Sequence, residues 1–153
     1  MMTGMLNRGR ALMWAALLPL GFVVGCGVKS ATFEIDADRM LNACGESEGY
    51  PLWVRFYSLT DATAIEAATL DGVWGDAETV LRGELVGDYV EKIIKPGDSE
   101  VEVTVPKEGG ATHVAVVGNY CRSTSDCWRW VSPFSDAKKV KLRLEEDCIA
   151  EKD

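Results

Sequence analysis

Residues 32–39, TFEIDADR, alternate apolar and polar side chains without a break: Phe33, Ile35 and Ala37 fall on one side, Glu34, Asp36 and Asp38 on the other. A period of two is the mark of a strand with one face in a core and the other in water. The same period returns downstream. Residues 52–59 (LWVRFYSL) send Leu52, Val54 and Phe56 inward and leave Trp53, Arg55 and Tyr57 on the opposite face, large enough to be covered by another part of the fold or by a partner. Residues 100–105 place Val101, Val103 and Val105 inward, and Pro106 with Gly109-Gly110 turns the chain into a hairpin. Residues 113–121 are apolar on both faces through Val114, Ala115, Val116 and Val117, as a central strand covered on two sides requires.

Weaker segments complete the pattern. Residues 89–95 read as a strand ending at the turn Pro96-Gly97-Asp98, residues 128–134 as a strand with Trp128 and Trp130 on one face, and residues 138–144 as a last strand. In that last strand Lys138, Lys139, Lys141 and Arg143 belong to a solvent face, with Val140, Leu142 and Leu144 behind it. One short helix interrupts the strands: Asp61 or Thr63 caps it, Thr63 with Glu66 fits a capping box, Ile65, Ala68 and Leu70 supply its apolar side, and Gly72 ends it. Residues 76–82 add a helical turn before Gly83. About seven short strands joined by Gly, Pro, Asp and Ser turns, with one minor helix, predict an all-β, two-sheet β-sandwich.

The chain in front of this domain has a different character. Arg8 and Arg10 precede residues 11–24 (ALMWAALLPLGFVV), an apolar run of signal-peptide layout. Its fourteen residues would reach roughly 21 Å as a helix, short of the roughly 30 Å of a bilayer core. Val23-Val24-Gly25-Cys26 then resembles the lipobox of bacterial lipoproteins, in which the cysteine is acylated and the signal is cleaved just before it, here between Gly25 and Cys26. The resemblance implies a signal peptide over residues 1–25, a lipidated Cys26 with a tether over 26–31, and the sandwich over 32–153. Gly27, in place of an aspartate, implies sorting to the outer membrane. Each buried methylene contributes about 0.8 kcal/mol, so two or three acyl chains hold a soluble domain on a membrane almost permanently.

Removing the first 25 of 153 residues leaves 128, one domain's worth of core, and takes the formal charge from −8 to −10. Nucleic acid is excluded as a natural partner by that charge. Cys44, Cys121, Cys127 and Cys148 remain, an even number in an oxidising compartment, and predict two disulfides. Three pairings are open. The polar stretch between Cys121 and Cys127 favours a bridge across a hairpin mouth, which leaves Cys44 with Cys148. A zinc site is disfavoured, with no C-x-x-C and a single histidine.

That histidine, His113, opens an apolar strand without a nucleophile elbow or a free thiol, and reads as structural. No phosphate-cradling glycine loop and no calcium-loop pattern is present. The expectation is a protein that is not an enzyme, with no metal and no cofactor.

The order of segments resembles the TssJ (VasD) lipoprotein family of the type VI secretion system. Residues 51–59 (PLWVRFYSL) resemble its second strand, with Arg55, Tyr57 and Leu59 at the Arg-x-Tyr-x-Leu positions; the helix follows; Lys95-Pro96-Gly97-Asp98 resembles the turn before a strand; residues 111–120 followed by Trp128-Arg129 resemble the penultimate hairpin. The likeness implies a transthyretin-like sandwich that binds the periplasmic part of a large inner-membrane protein, TssM, through the loop between the first two strands. By position that loop is 45–51, with Glu46, Glu48 and Tyr50 as partner-binding candidates. The four cysteines depart from the family's usual pattern. A competing expectation is a lipoprotein that holds a small apolar or sugar ligand in the sandwich, with Trp53, Trp74, Trp128 or Trp130 as a platform.

Overall fold

The computed structural model describes residues 27–123 and 125–153; the signal segment 1–25 and Cys26 lie outside the described residues. Among the described residues, eight strands form two four-stranded sheets. β1 (Ser30–Ala37), β4 (Val101–Pro106), β7 (Val140–Leu144) and β8 (Ile149–Glu151) make one, in the order β4-β1-β7-β8. β2 (Leu52–Leu59), β3 (Leu85–Ile94), β5 (His113–Gly118) and β6 (Arg129–Pro133) make the other, in the order β3-β2-β5-β6. All pairs are antiparallel except β1 with β7, where Phe33 faces Val140 and Ile35 faces Leu142 in parallel register.

The residues the alternation sends inward are the core. Phe33, Ile35, Val103, Val105, Leu142 and Leu144 from one sheet meet Leu52, Val54, Phe56, Val114 and Val116 from the other, all buried. Phe33 centres the contact, with its ring 5.3 Å from Phe56 and 5.6 Å from Trp130, edge-on to the latter. β5 is buried on both faces. Its second face, and that of β2, is covered by two helices, α1 (Thr63–Ala67) and α2 (Leu70–Val80), inserted between β2 and β3. Ile65, Leu70 and Val73 are the buried side of that cover.

The helical segment differs from the sequence expectation. Instead of one helix ending at Gly72, α1 stops at Ala67 and α2 starts two residues before that glycine. Thr69 is the cause: its side chain accepts a hydrogen bond from the Gly72 N–H at 3.2 Å and caps a second helix. The Thr63–Glu66 box does not form; Asp61 Oδ1 accepts the Thr63 N–H at 2.8 Å, and Glu84 accepts that of Ala64 at 2.8 Å. Within α2, Asp76 leaves helical geometry and caps the last turn through the Thr79 N–H at 3.0 Å. The eighth strand, β8, is three residues long and carries no readable period. Among the described residues no helix is long and apolar enough to cross a membrane.

Candidate functional site: the clamped loop between the first two strands

β1 carries the chain from Ser30 to Ala37, about 26 Å at roughly 3.3 Å per residue, and the β1–β2 connection leaves from its far end. That connection is folded tightly along its stem. Leu41, Asn42 and Ala43 are buried, although this is a loop. Asn42 organises it: its side chain donates to Pro51 O at 3.4 Å and accepts the Cys121 N–H at 2.9 Å, while its own N–H reaches Glu146 O at 2.9 Å. Its φ of 51° lies in the left-handed region, where asparagine is tolerated better than most residues. The Tyr50 N–H closes the stem on Leu41 O at 2.8 Å. Gly49 runs so near the outgoing chain that a Cβ would lie 2.4 Å from Arg39 O, a backbone atom that cannot step aside.

The tip is the reverse. Gly45, Glu46, Ser47 and Glu48 are exposed, and Tyr50 shows 44% of its surface. Glu46 and Glu48, with Tyr50 at the base, therefore stand on one projecting element, as the sequence placed them. The element is pinned at its root by hydrogen bonds and acidic and aromatic at its surface.

A disulfide completes the clamp, and its pairing corrects the sequence expectation. Cys44 joins Cys121 and Cys127 joins Cys148, with Cα separations of 5.7 and 5.0 Å; neither a Cys121–Cys127 nor a Cys44–Cys148 bridge exists. The reason is that the β5–β6 ladder ends at Val117 opposite Arg129, so the two cysteines lie in a wide connection and not across a hairpin mouth. Asn119 leaves β5 by donating to Trp53 O at 2.9 Å, which swings Cys121 onto the Asn42 stem. Cys127, in the 3-10 turn Asp126–Trp128, instead meets β8. Tyr120 lies buried between, its hydroxyl donating to Cys148 O at 2.8 Å, and burial pushes its ionisation up. The bridges close segments of 77 and 21 residues, worth about 4.5 and about 3 kcal/mol in the chain-entropy model.

Arg55 fastens the helical cover on the other side of the same sheet. Its guanidinium lies 3.8 Å from the Trp74 ring centroid and 4.5 Å from that of Tyr89, bonds Glu91 at 2.7 Å and donates to Trp74 O at 3.1 Å. Burial, the largest single influence, would lower the Arg55 ionisation; the Glu91 hydrogen bond together with the Tyr57 and Tyr89 hydroxyls outweighs it, and the net direction is up. Arg129 on β6 does the same for α1 and its exit, donating to Glu66 O at 2.7 Å and Ala68 O at 3.1 Å. Sequence reading missed both roles, and Asn42 as well. An arginine on the outward face of an apolar strand, with aromatics nearby in sequence, was the available signal.

The tryptophans do not converge. Trp53 is 45% exposed beside Ile93, its cross-strand neighbour. Trp74 stacks on Arg55; Trp130 packs on Phe33 and donates to Glu151 at 3.0 Å. Trp128, buried in the 3-10 turn and not in a strand, is the one of the four lining the larger groove, of about 630 Å³. A groove of about 300 Å³ includes Trp74 alone of them. His113 sits with Nδ1 2.7 Å from Thr112 Oγ1 at the start of β5.

Comparison with known proteins places this fold. Residues 29–147 match the family model of the type VI secretion lipoprotein (VasD, EvfM, TssJ). No curated protein matches the sequence. Among solved structures, Lip from Serratia marcescens, a membrane-bound component of the type VI secretion system, is 18% identical over 82% of this chain and 98% of its own, with a TM-score of 0.73. The T6SS lipoprotein TssJ1 from Pseudomonas aeruginosa is 21% identical over 82% and 96%, with a TM-score of 0.68. A chain in the structure of the T6SS protein TssM C-terminal domain from EAEC is 17% identical over 82% and 99%, with a TM-score of 0.72. With the two sheets, the helical cover and a family match that runs from the start of the sandwich to its last turn, the chain belongs to the type VI secretion lipoprotein family.

Proposed function

We propose that this chain is an outer-membrane anchor of a type VI secretion system: acyl chains on Cys26 hold the periplasmic face of the outer membrane, and the β1–β2 loop grips the periplasmic domain of an inner-membrane TssM-like protein. The observation that carries the reading is the loop itself, an exposed tip of Glu46 and Glu48 with an exposed Tyr50 at its base, on a stem locked by Asn42 and the Cys44–Cys121 bridge. A preorganised loop loses little conformational freedom when it binds. Tension borne by a link across the envelope is also better met by a covalently pinned loop than by a mobile one. The EAEC structure containing the TssM C-terminal domain, one of whose chains shares this fold, supports a TssM-like partner. Family membership and the lipobox support the lipid anchor.

The test is photocrosslinking in living cells from residues 48 and 50, with residue 139 at the opposite end as control. The expected result is a crosslink to the inner-membrane protein from 48 or 50 and none from 139. Crosslinks from 139 alone would overturn the assignment of the loop. Complete absence of the inner-membrane protein after detergent co-purification of the lipidated chain would overturn the partnership.

The ligand-carrier reading is not favoured by the two grooves described above, since each is lined by a single one of the four tryptophans, Trp128 in the larger and Trp74 in the smaller.

A further inference from the structure

The sandwich is electrically lopsided along the axis that runs from where the chain enters β1 to the loop. Four lysines gather where the chain enters. Lys29 immediately precedes β1, and its carbonyl accepts the Lys107 N–H at 2.9 Å. The Lys107 ammonium lies 5.9 Å over the Phe134 ring, which joins it to the β6–β7 connection. That connection carries Lys138 and Lys139 and enters β7 with Val140 beside Phe33 in parallel register, so both lysines lie level with the start of β1, near Ala31 and Thr32. All four are exposed, and Lys139 lies 3.6 Å from Glu34. Glu108 and Asp136 share this end, with Asp61 and Glu84 on its helical side. The opposite end carries Asp38, Glu46, Glu48, Asp98, Glu145 and Glu146 against Arg39, Lys95 and Arg122.

The second observation is the length of chain before the fold. β1 begins at Ser30, already paired with Pro106, so residues 27–29 alone separate Cys26 from the sheet. Fully extended, that segment spans roughly 14 Å from Cys26 to Ser30 at about 3.3–3.6 Å per residue. With acyl chains on Cys26, the lysine end is held within about one or two screening lengths of the lipid headgroups, a screening length being about 8 Å at physiological ionic strength. At that range a negative surface attracts lysines and repels the acidic end.

We infer that the lysine-bearing end of the sandwich, through Lys29, Lys107, Lys138 and Lys139, docks on the phosphate headgroups of an anionic lipid surface, and so turns the β1–β2 loop away from the membrane into the periplasm. The inference rests on acylation of Cys26, and it adds a second, electrostatic contact to the lipid anchor. It gives the short tether a purpose: a domain held close and oriented presents its loop to a partner approaching from the opposite membrane. Lys95, at the far end, stands clear of the surface.

Lysine acetylation footprinting of the full lipidated protein tests this, in vesicles of phosphatidylethanolamine with phosphatidylglycerol and in vesicles of neutral phosphatidylcholine. Expected in the anionic vesicles is a several-fold fall in labelling at Lys29, Lys107, Lys138 and Lys139 relative to the neutral ones, with Lys95 unchanged. The variant K107Q/K138Q/K139Q, altered only at exposed positions, is expected to lose the protection of Lys29 that anionic lipid confers. Equal labelling at both ends, or protection that is the same in both kinds of vesicle, would overturn the docking while leaving the anchor intact. The mass of the Cys26 peptide is read from the same sample, and an unmodified thiol there overturns the anchoring reading and the docking with it.

Discussion

Two of the segments that lie outside the sheets of this sandwich, the helical cover and the β1–β2 loop, are held by opposite means. The helical cover, α1 and α2, is fastened by packing: Ile65, Leu70 and Val73 are buried, and arginines from β2 and β6 reach its carbonyls. The β1–β2 loop buries Leu41 and Ala43 but exposes its whole tip, and its shape comes from one asparagine, one close-packed glycine and one disulfide. A segment whose surface stays exposed cannot also be held by burying it. Rigidity at such a place comes from cross-links and directed hydrogen bonds, because burying an apolar face there would remove the surface itself.

The largest effect should come from cutting the covalent clamp. Cys44→Ser with Cys121→Ser is expected to lower unfolding free energy by about 4 kcal/mol, read by denaturant titration, because the 77-residue closure is lost from the unfolded chain. Hydrogen exchange should show the loop amides of 42–50 losing protection while those of α2 keep theirs. If both segments loosen together, the contrast between them is broken.

Next comes the converse cut. Ile65→Ala removes a fully buried side chain from the cover and is expected to cost about 3 kcal/mol, with the Cys44–Cys121 bridge intact and photocrosslinking from Tyr50 unchanged. A loss of loop crosslinking in that variant would mean that the cover and the loop act as one unit.

Asn42→Ala sharpens the polar half of the clamp. It strands the Cys121 N–H and puts an alanine at a φ of 51°, so about 2 kcal/mol is expected from thermal or denaturant unfolding. Oxidised protein carrying this substitution should show faster exchange at the Tyr50 amide, and unchanged exchange there would assign the stem's order to the disulfide alone.

The smallest effect is expected from Arg55→Lys. The ammonium keeps a charge for Glu91 but forfeits the planar stack between Trp74 and Tyr89, for about 1 kcal/mol. Tryptophan fluorescence should report a more solvated Trp74, while the loop stays as it was.

The paired-strand skeleton was legible where a strand has one wet face. β1, β2 and β4 follow the alternation, and β5, apolar on both sides, is the strand covered twice. The exposed loop proposed as the site was legible by position: the connection after β1 bears the exposed Glu46, Glu48 and Tyr50. β8 escaped because a three-residue strand in an acidic tail is too short to show a period. The break between α1 and α2 escaped because Thr69 is an ordinary polar residue until its hydroxyl meets the Gly72 N–H.

What the amino-acid order determined by itself was the two-sheet class, the family likeness, the number of cysteines free to pair and the place of the exposed loop. All of these depend on neighbours within a few residues, where side-chain period and turn chemistry act directly. What only the tertiary structure decided was which cysteines meet, that Asn42 is the pin of the loop, and that Arg55 sits between two rings. Each depends on segments brought together from distant parts of the chain: Cys44 and Cys121 are 77 residues apart, and no local pattern records which loops of a sandwich will touch.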